Sequence, residues 1–372
     1  MKAAFVHSHD VDQYSYGEAI RFVAGRAGQA LDLCRQRDLL LPPSDHVVPR
    51  PATRQEVSKF HTDRYLDLLR EAESGKVSQA WLAHGLGSLE TPVFKGLWDY
   101  SMLVAGGSLK AARLVADGHF DRAFHPAGGL HHAHPESAGG FCYINDVVLA
   151  VMELRDRGMR VAVVDIDAHH GDGTQAAFYS DPNVLTVSVH ESGETLYPWG
   201  GAADEIGEGD GEGRNVNIPL PKGAHDEVFL RVIDEVVVPF VRDFGPDVLV
   251  TEVSGDPLWL DPLTHLGLTN NAIVEAMERL DAFDLPWVVV GGGGYAVKPT
   301  VQVFALAWSV ISRTELTDPF AGLIGGMMAG LSEVEEGDLR DRPRYVPPET
   351  REQVEKKLNP VIELHRSRLG KG

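Results

Sequence analysis

Cysteine is almost missing from this chain: there are two in 372 residues, Cys34 and Cys142, with no paired spacing. That scarcity excludes a disulfide framework and a cysteine-based zinc site. Long apolar runs are missing as well. No stretch reaches the roughly 20 residues that cross a bilayer, and the opening MKAAFVHSHDVDQYSY lacks the apolar core of a secretion signal, so the expected location is the cytoplasm. Positive charge is also short: Lys plus Arg number 34 against 54 Asp plus Glu, a formal charge of −20. Such a surface repels a phosphate backbone, which argues against direct nucleic-acid binding, and suits either plain solubility or a cationic substrate. No repeat period and no long linker divides the chain, and only DEIGEGDGEGR (204–214) reads as an exposed, flexible loop.

What is present is an alternation of strands and helices. RVAVVDID (160–167), NVLTVSVH (183–190), DVLVTEVS (247–254) and PWVVVGGGGY (286–295) are short β-branched runs of the kind buried on both faces of a parallel sheet. Helical patterns lie between them at 141–158, 226–245 and 271–283, and further helices precede them at 53–75 and 97–118. The alternation predicts a three-layer α/β fold, a mostly parallel sheet flanked by helices, in one domain spanning 1–372. A C-terminal helical extension over about 314–372 is expected to be a surface feature without chemistry.

All four runs end in residues that a core would not choose: Asp165, Asp167 and His169; Ser188 and His190; Glu252, Ser254 and Asp256; four glycines and Tyr295. In open parallel sheets ligands bind outside the carboxyl ends of the strands, so these groups should converge on one rim. In VDIDAHHGDG (164–173), alternation places Asp165, Asp167 and His169 on one side. Carboxylates in that position need a compensating cation, unless the strand end is simply a hydrogen-bonded polar one. Asp and His donors suit zinc, with iron(II) or manganese as competitors. A catalytic site takes three protein ligands and leaves one position open, so a third ligand must come from elsewhere. A second cluster, HPAGGLHHAHPESAGGFCYIND, sets His125, His131, His132 and His134 among glycines, where a tandem imidazole pair can move protons near neutral pH.

Five motifs, GGLHHAHPESAGGFCYINDVVLA, VDIDAHHGDGTQAAFY, LTVSVHESGETLYPWGG, DPLTHLGLT and GGGGY, in this order, resemble the zinc-dependent histone deacetylase family, particularly its bacterial branch with the acetoin-utilization proteins and acetylpolyamine amidohydrolases. The resemblance implies an arginase/deacetylase α/β fold and hydrolysis of an acyl-lysine amide. It implies Asp167, His169 and Asp261 as metal ligands, and His132 as general base and acid with His131 tuning its charge. Asp165 and Asp172 would be the carboxylate partners of those histidines, and Tyr295 the hydrogen-bond donor to the substrate carbonyl. It further implies Phe141 and Tyr197 as channel walls, Leu268 near the mouth, and Gly140 offering its carbonyl to the substrate amide. Structural potassium ions are implied at Asp165, Asp167, His169 and Ser188 and, separately, at Phe178, Asp181 and Val184.

The chain departs from the family pattern in three places. SLETPVF puts Glu90 where relatives carry an aspartate at the rim. TEVSGDPLWLD substitutes Glu252 and Ser254 for Gln and Gly while retaining Asp256. The stretch before the first helix lacks a common His-Pro, although Arg26 fits a basic position beneath the active site. The expected substrates are therefore an acyl-lysine protein or peptide or, as the alternative, an acetylated polyamine or another small amide. A non-catalytic acyl-lysine binder is disfavoured by the proton-transfer groups, and the oligomeric state stays open.

Overall fold

The structure is a computed structural model that describes residues 1–17, 22–40, 46–75, 78–315 and 339–370. Eight strands form one sheet: β1 (Ala3–Val6), β2 (His46–Val47), β3 (Arg122–His125), β4 (Val161–Asp165), β5 (Val184–Glu191), β6 (Asn215–Leu220), β7 (Val248–Glu252) and β8 (Trp287–Val290). Their order is β2-β1-β3-β8-β7-β4-β5-β6, and every neighbouring pair is parallel. Parallel pairing forces each connection to cross a face of the sheet, which is why both faces carry helices.

Side-chain alternation sorts the core. Ala162, Val164, Leu185, Val187, Leu249 and Val289 face one side, beneath the helices Arg26–Gln36, Asn270–Asp281 and Val297–Ser312. Val161, Val163, Val184, Val248, Val250, Val288 and Val290 face the other, beneath Leu97–Ala116 and Asp146–Arg155. The three-layer α/β arrangement, a parallel sheet between helices, expected from the sequence is the one observed. A third apolar cluster, with Tyr16, Tyr65, Tyr100 and Tyr143 at its centre, builds a buttress above the sheet's carboxyl edge. No helix among the described residues is long and apolar enough to cross a membrane.

Several boundaries differ from expectation for local reasons. The helix expected at 141–158 begins only at Asp146, because Asn145 caps it by accepting the Val148 N–H at 2.9 Å while Phe141 holds a φ of 66°. The run at 53–75 splits into Arg54–Val57, closed by a Thr53/Glu56 capping box, and Asp63–Ala72, capped by Thr62. Over 226–245 a π turn at Ile233–Val237 directly precedes Pro239, whose missing N–H interrupts regular helical bonding. The loop at 204–214 is exposed at Asp204, Glu208–Asp210 and Glu212 but tied down elsewhere. The Glu205 carboxylate accepts from Gln175 Nε2 at 2.6 Å and Gly211 packs on Tyr179 and Ser180, so it is not the free loop expected. Of the extension, 316–338 lies outside the described residues. The helix Pro348–Arg368 buries Val354, Leu358 and Ile362 and donates from His365 Nε2 to the Asn217 carbonyl at 2.7 Å, so it covers the edge strand β6 instead of lying loose on the surface.

On the face away from the site, Glu153 collects Arg113 at 3.0 Å, Arg157 at 2.5 Å and Lys59 at 3.7 Å. Burial would raise its pKa, but the bonds from Arg113 and Arg157 outweigh that and hold it down at about 2. The carboxylate therefore stabilises the fold above its ordinary pKa of about 4.3 and loses that effect as pH falls towards 2. Because the arginines remain partly exposed, Glu153→Gln should cost on the order of 2 kcal/mol at pH 7, with the deficit shrinking between about pH 4 and 2 in urea melts. A deficit constant across that range would rule out ionised Glu153 as its source.

Candidate active site

Three neighbouring strand ends supply the centre. Beyond β4 the chain leaves the sheet at Asp165, and the next residues turn Asp167 and His169 inward. Beyond β7, which pairs with β4 in the register Asp165 to Glu252, the same alternation brings in Ser254 and Asp256. His169 Nδ1 lies 3.0 Å from Asp167 Oδ1 and 3.0 Å from Asp256 Oδ2, and the donor atoms of all three residues lie within 4.8 Å of one another. The remaining oxygens are anchored by the backbone: Asp167 Oδ2 accepts the Gly293 N–H at 2.7 Å, and Asp256 Oδ1 accepts the Ala168 N–H at 3.0 Å and the Ser254 hydroxyl at 2.6 Å. One imidazole and two carboxylates, each oriented by a second bond, form a donor set suited to zinc or a similar divalent ion.

The close approach explains the glycine run after β8. A Cβ at Gly293 would collide with the Asp256 carboxylate, and one at Gly292 would sit 2.8 Å from Asp167 Oδ2. Buried Arg26 holds the run from below by donating to the carbonyls of Gly292 and Gly294.

The loop after β3 carries the imidazole pair, pinned by buried Asp146, which accepts the N–H groups of Leu130 at 2.8 Å and Gly129 at 3.0 Å. His131 Nδ1 meets Asp165 Oδ2 at 2.8 Å, and His132 Nδ1 meets Asp172 Oδ1 at 2.7 Å. The two Nε2 atoms then face each other at 3.1 Å. Since each Nδ1 proton is committed to a carboxylate, the pair holds one further proton between the Nε2 atoms. Burial lowers both basicities, but the charge of Asp165 and its hydrogen bond outweigh burial at His131 and raise it to about 9. At His132, burial and the charge on His131 prevail and lower it to about 4. Near neutrality His131 is therefore cationic and His132 is a free base. Glu252, fully buried, lies 3.0 Å from His131 Nδ1 with both oxygens lacking a hydrogen bond. Burial and the charges of Asp165 and Asp167 push its carboxyl well above the usual range, so it stays protonated.

A cavity of about 300 Å³ opens over this group, lined by Glu90, Gly140, Phe141, Tyr197, Trp199, Leu263, His265 and Tyr295 together with His132 and His169. Tyr295 packs against Phe141 with ring centroids 5.7 Å apart, and Tyr197 against His132 at 5.0 Å. At Gly140 φ is 49°, and a side chain there would run into His132 and Tyr197.

A family model described as "Histone deacetylase domain" matches residues 21–311. The chain is 34% identical over 325 residues to histone deacetylase B of Dictyostelium discoideum, covering 85% of this chain and 75% of that one. It is 36% identical over 318 residues to the acetoin utilization protein AcuC of Bacillus subtilis, covering 83% and 81%. The chain belongs to the histone deacetylase family. Among solved structures, an HDAC homolog from Aquifex aeolicus superposes with a TM-score of 0.84 at 30% identity, covering 98% of this chain and 100% of that one. An HDAC homolog complexed with SAHA gives 0.86 at 31%, with the same coverage. Family membership and the donor cluster together make the protein a metal-dependent amidohydrolase of the histone deacetylase class.

Two expected site residues of this deacetylase are held by their surroundings. Asp261 accepts the Tyr295 N–H at Oδ2, 2.7 Å, and the Leu263 N–H at Oδ1, 2.9 Å, so it positions the tyrosine while lying close enough to Asp256 and His169 for their charges to act on its carboxyl, and Asp256 adds a further carboxylate to Asp167 and His169. Leu268 is fully buried in the core, where its segment pairs with Leu258, and the cavity wall is Leu263 and His265 instead. Ser188 sits beside Asp165 in the β4–β5 register, with its hydroxyl bonded to His190 Nδ1 at 2.8 Å. Phe178, Asp181 and Val184 form a turn in which the Phe178 and Asp181 carbonyls accept the Asp181 and Val184 N–H groups. Glu90 is exposed at the mouth, and its carbonyl accepts the Phe141 N–H at 2.9 Å. His134, the second partner of Asp172 at 3.1 Å, was not anticipated as a site residue.

Two outcomes follow from this geometry. Asp261→Asn should weaken zinc binding by more than about 100-fold in chelator competition, and a larger loss in Asp256→Asn with Asp261→Asn unaffected would pass the ligand role to Asp256. In metal-stripped protein, histidine NMR should show the pair keeping one shared proton between about pH 4 and 9, and zinc should move the upper step to lower pH because a nearby cation disfavours imidazolium. Two independent steps near the unperturbed value of about 6.5 would contradict the shared proton.

Proposed function

We propose that the protein hydrolyses the side-chain amide of acyl-lysine, with N-acetyl-lysine as the reference substrate and zinc held by Asp167, His169 and Asp261, with Asp256 beside them. The observation that supports the reading is the convergence of Asp167, His169 and Asp256, close to Asp261, beside the His131–His132 pair, with the His132 and His169 rings 5.9 Å apart. Zinc, or iron(II) in its place, supplies Lewis acidity to the acyl carbonyl and the attacking water. His132, neutral at its Nε2, takes the water proton and then delivers it to the departing lysine nitrogen. His131 retains its own proton, so positive charge stays beside the developing oxyanion. The Tyr295 hydroxyl, kept protonated by burial and by the charges of Asp256 and Asp167, donates to that oxygen. Phe141 and Tyr197 flank the aliphatic stem, and the Gly140 carbonyl accepts the amide N–H.

The reading includes structural potassium bordered by Asp165, Asp167, His169 and Ser188, a second such ion at Phe178, Asp181 and Val184, and residence in the cytoplasm. A peptide is favoured as the carrier of the acyl-lysine because Leu89 and Trp199 are exposed next to Glu90, giving an apolar shelf around a charged post. The net charge of −20 favours the second reading, an acetylated polyamine.

Parallel assays of the zinc form on acetyl-lysine peptides, longer acyl-lysines and acetylspermidine decide between the two, with the peptide expected to show the higher kcat/KM. Tyr295→Phe should lose ~10²–10³ in kcat with KM little changed. A Tyr295→Phe enzyme of native kcat would remove the tyrosine from the mechanism.

A further inference from the structure

We infer a second divalent-metal site, formed by His7, His9 and Asp12, that fastens the segment following β1 to the helix Arg26–Gln36. The chain turns directly after β1, with the N–H groups of Val11 and Asp12 donating to the carbonyls of Ser8 and His9 at 3.0 and 3.1 Å. The turn carries three donors to one point. His7 Nε2 lies 3.2 Å and His9 Nδ1 2.8 Å from the same oxygen, Asp12 Oδ2, and the three donor atoms lie within 4.8 Å of one another. Tetrahedral zinc bonded at about 2.0–2.2 Å to nitrogen and oxygen sets its ligands roughly 3.3 Å apart, close to both separations.

Hydrogen bonding alone accounts poorly for the group. One carboxylate oxygen faces two imidazoles, one of them on fully buried His7, so that two ring nitrogens and an oxygen gather on a single point that a divalent ion would bridge. The carboxylate is aimed from behind: Asp12 Oδ1 accepts the Gly28 N–H at 3.3 Å, and a side chain at Gly28 would collide with it, so the helix leaves room for this group alone. His9 is half-exposed and Asp12 about one-fifth exposed, so an ion can enter from solvent and keep water in its fourth position.

The site is structural. Residues 7–16 lead to Tyr16, whose hydroxyl donates at 3.0 Å to the carbonyl of Phe141, a wall of the substrate cavity. Arg26, in the same helical turn as Gly28, holds the glycine run beneath Tyr295. An ion at His7, His9 and Asp12 would tie these two supports together at their base. Among the described residues no hydrogen bond or ion pair joins this group to Asp167, His169 or Asp256, and the inference does not depend on the proposed reaction.

The test is metal counting. Chelator-stripped full-length protein is dialysed against zinc alone and its content measured by elemental analysis, with folding of each variant checked by circular dichroism. Two equivalents are expected in the native protein, and one each in His9→Ala, Asp12→Asn and Asp167→Asn. His9→Ala and Asp12→Asn proteins that bind as much zinc as the native one would overturn the inference. So would a native protein whose single equivalent is abolished by Asp167→Asn.

Discussion

Four carboxyl groups, Asp165, Asp167, Glu252 and Asp256, are buried together at the ends of β4 and β7, and the rest of the centre is arranged around keeping them there. Ionised acids in a low-dielectric pocket are tolerated only with matching positive charge. Burial and the neighbouring acids push the Glu252 carboxyl towards its protonated form, which leaves Asp165, Asp167 and Asp256, with Asp261 beside them, to be compensated. His131 supplies one positive charge. Arg26 lies close by but spends its guanidinium on two carbonyls, and His169 must stay neutral to offer a lone pair at Nδ1. A divalent ion would offset this negative charge, which in its absence is met by a proton on His169, whose basicity the bonds to Asp167 and Asp256 raise well above the usual value despite burial.

The fold brings these acids together through its strand order. Sequence neighbours β3 and β4 are separated in the sheet by β8 and β7, so the central strand ends come from three distant stretches of chain. The parallel arrangement points all of them to one edge, and helices cover both faces. The glycine loop after β8 can then lie directly on Asp167 and Asp256, which places Tyr295 over the donors. Asp261 and Arg26 grip that loop from opposite directions, one at the tyrosine's amide and the other at the glycine carbonyls.

Much of this was legible in the sequence. β-branched runs ending in polar residues announced the parallel sheet and its polar rim, while the carboxylate partners of the tandem histidines were implied by the family resemblance, and the structure pairs His131 with Asp165 and His132 with Asp172. Strand order was not legible, because nothing local in VLVTE states that it pairs with VAVVD. That omission hid the approach of Asp256 to Asp167 and His169. Glu252, Ser254 and Asp256 repeat the alternation of Asp165, Asp167 and His169, a signal that acquires meaning once the two strands are known to be adjacent. The bond of Asp261, five residues on, to the Tyr295 amide depends on a turn that the sequence does not reveal. Leu268 was misplaced for a similar reason, since its burial depends on a bridge to Leu258 that periodicity does not reveal. The spacing of His7, His9 and Asp12 matches neither a helix nor a strand and acquires meaning only through the turn that folds it.

Glutamate stands at 252 where the family pattern carries glutamine, and the pocket disfavours its charged form. A charged carboxylate 3.0 Å from His131 Nδ1 would compete with Asp165 for the same proton and add negative charge to a pocket already crowded with it. Burial and the neighbouring acids prevent this by keeping Glu252 protonated, and a neutral carboxylic acid has nearly the shape and polarity of the glutamine amide. The substitution is accommodated because the surrounding acids are too close for a fourth to ionise. The same repulsion that calls for a metal ion makes Glu252 behave as an uncharged residue.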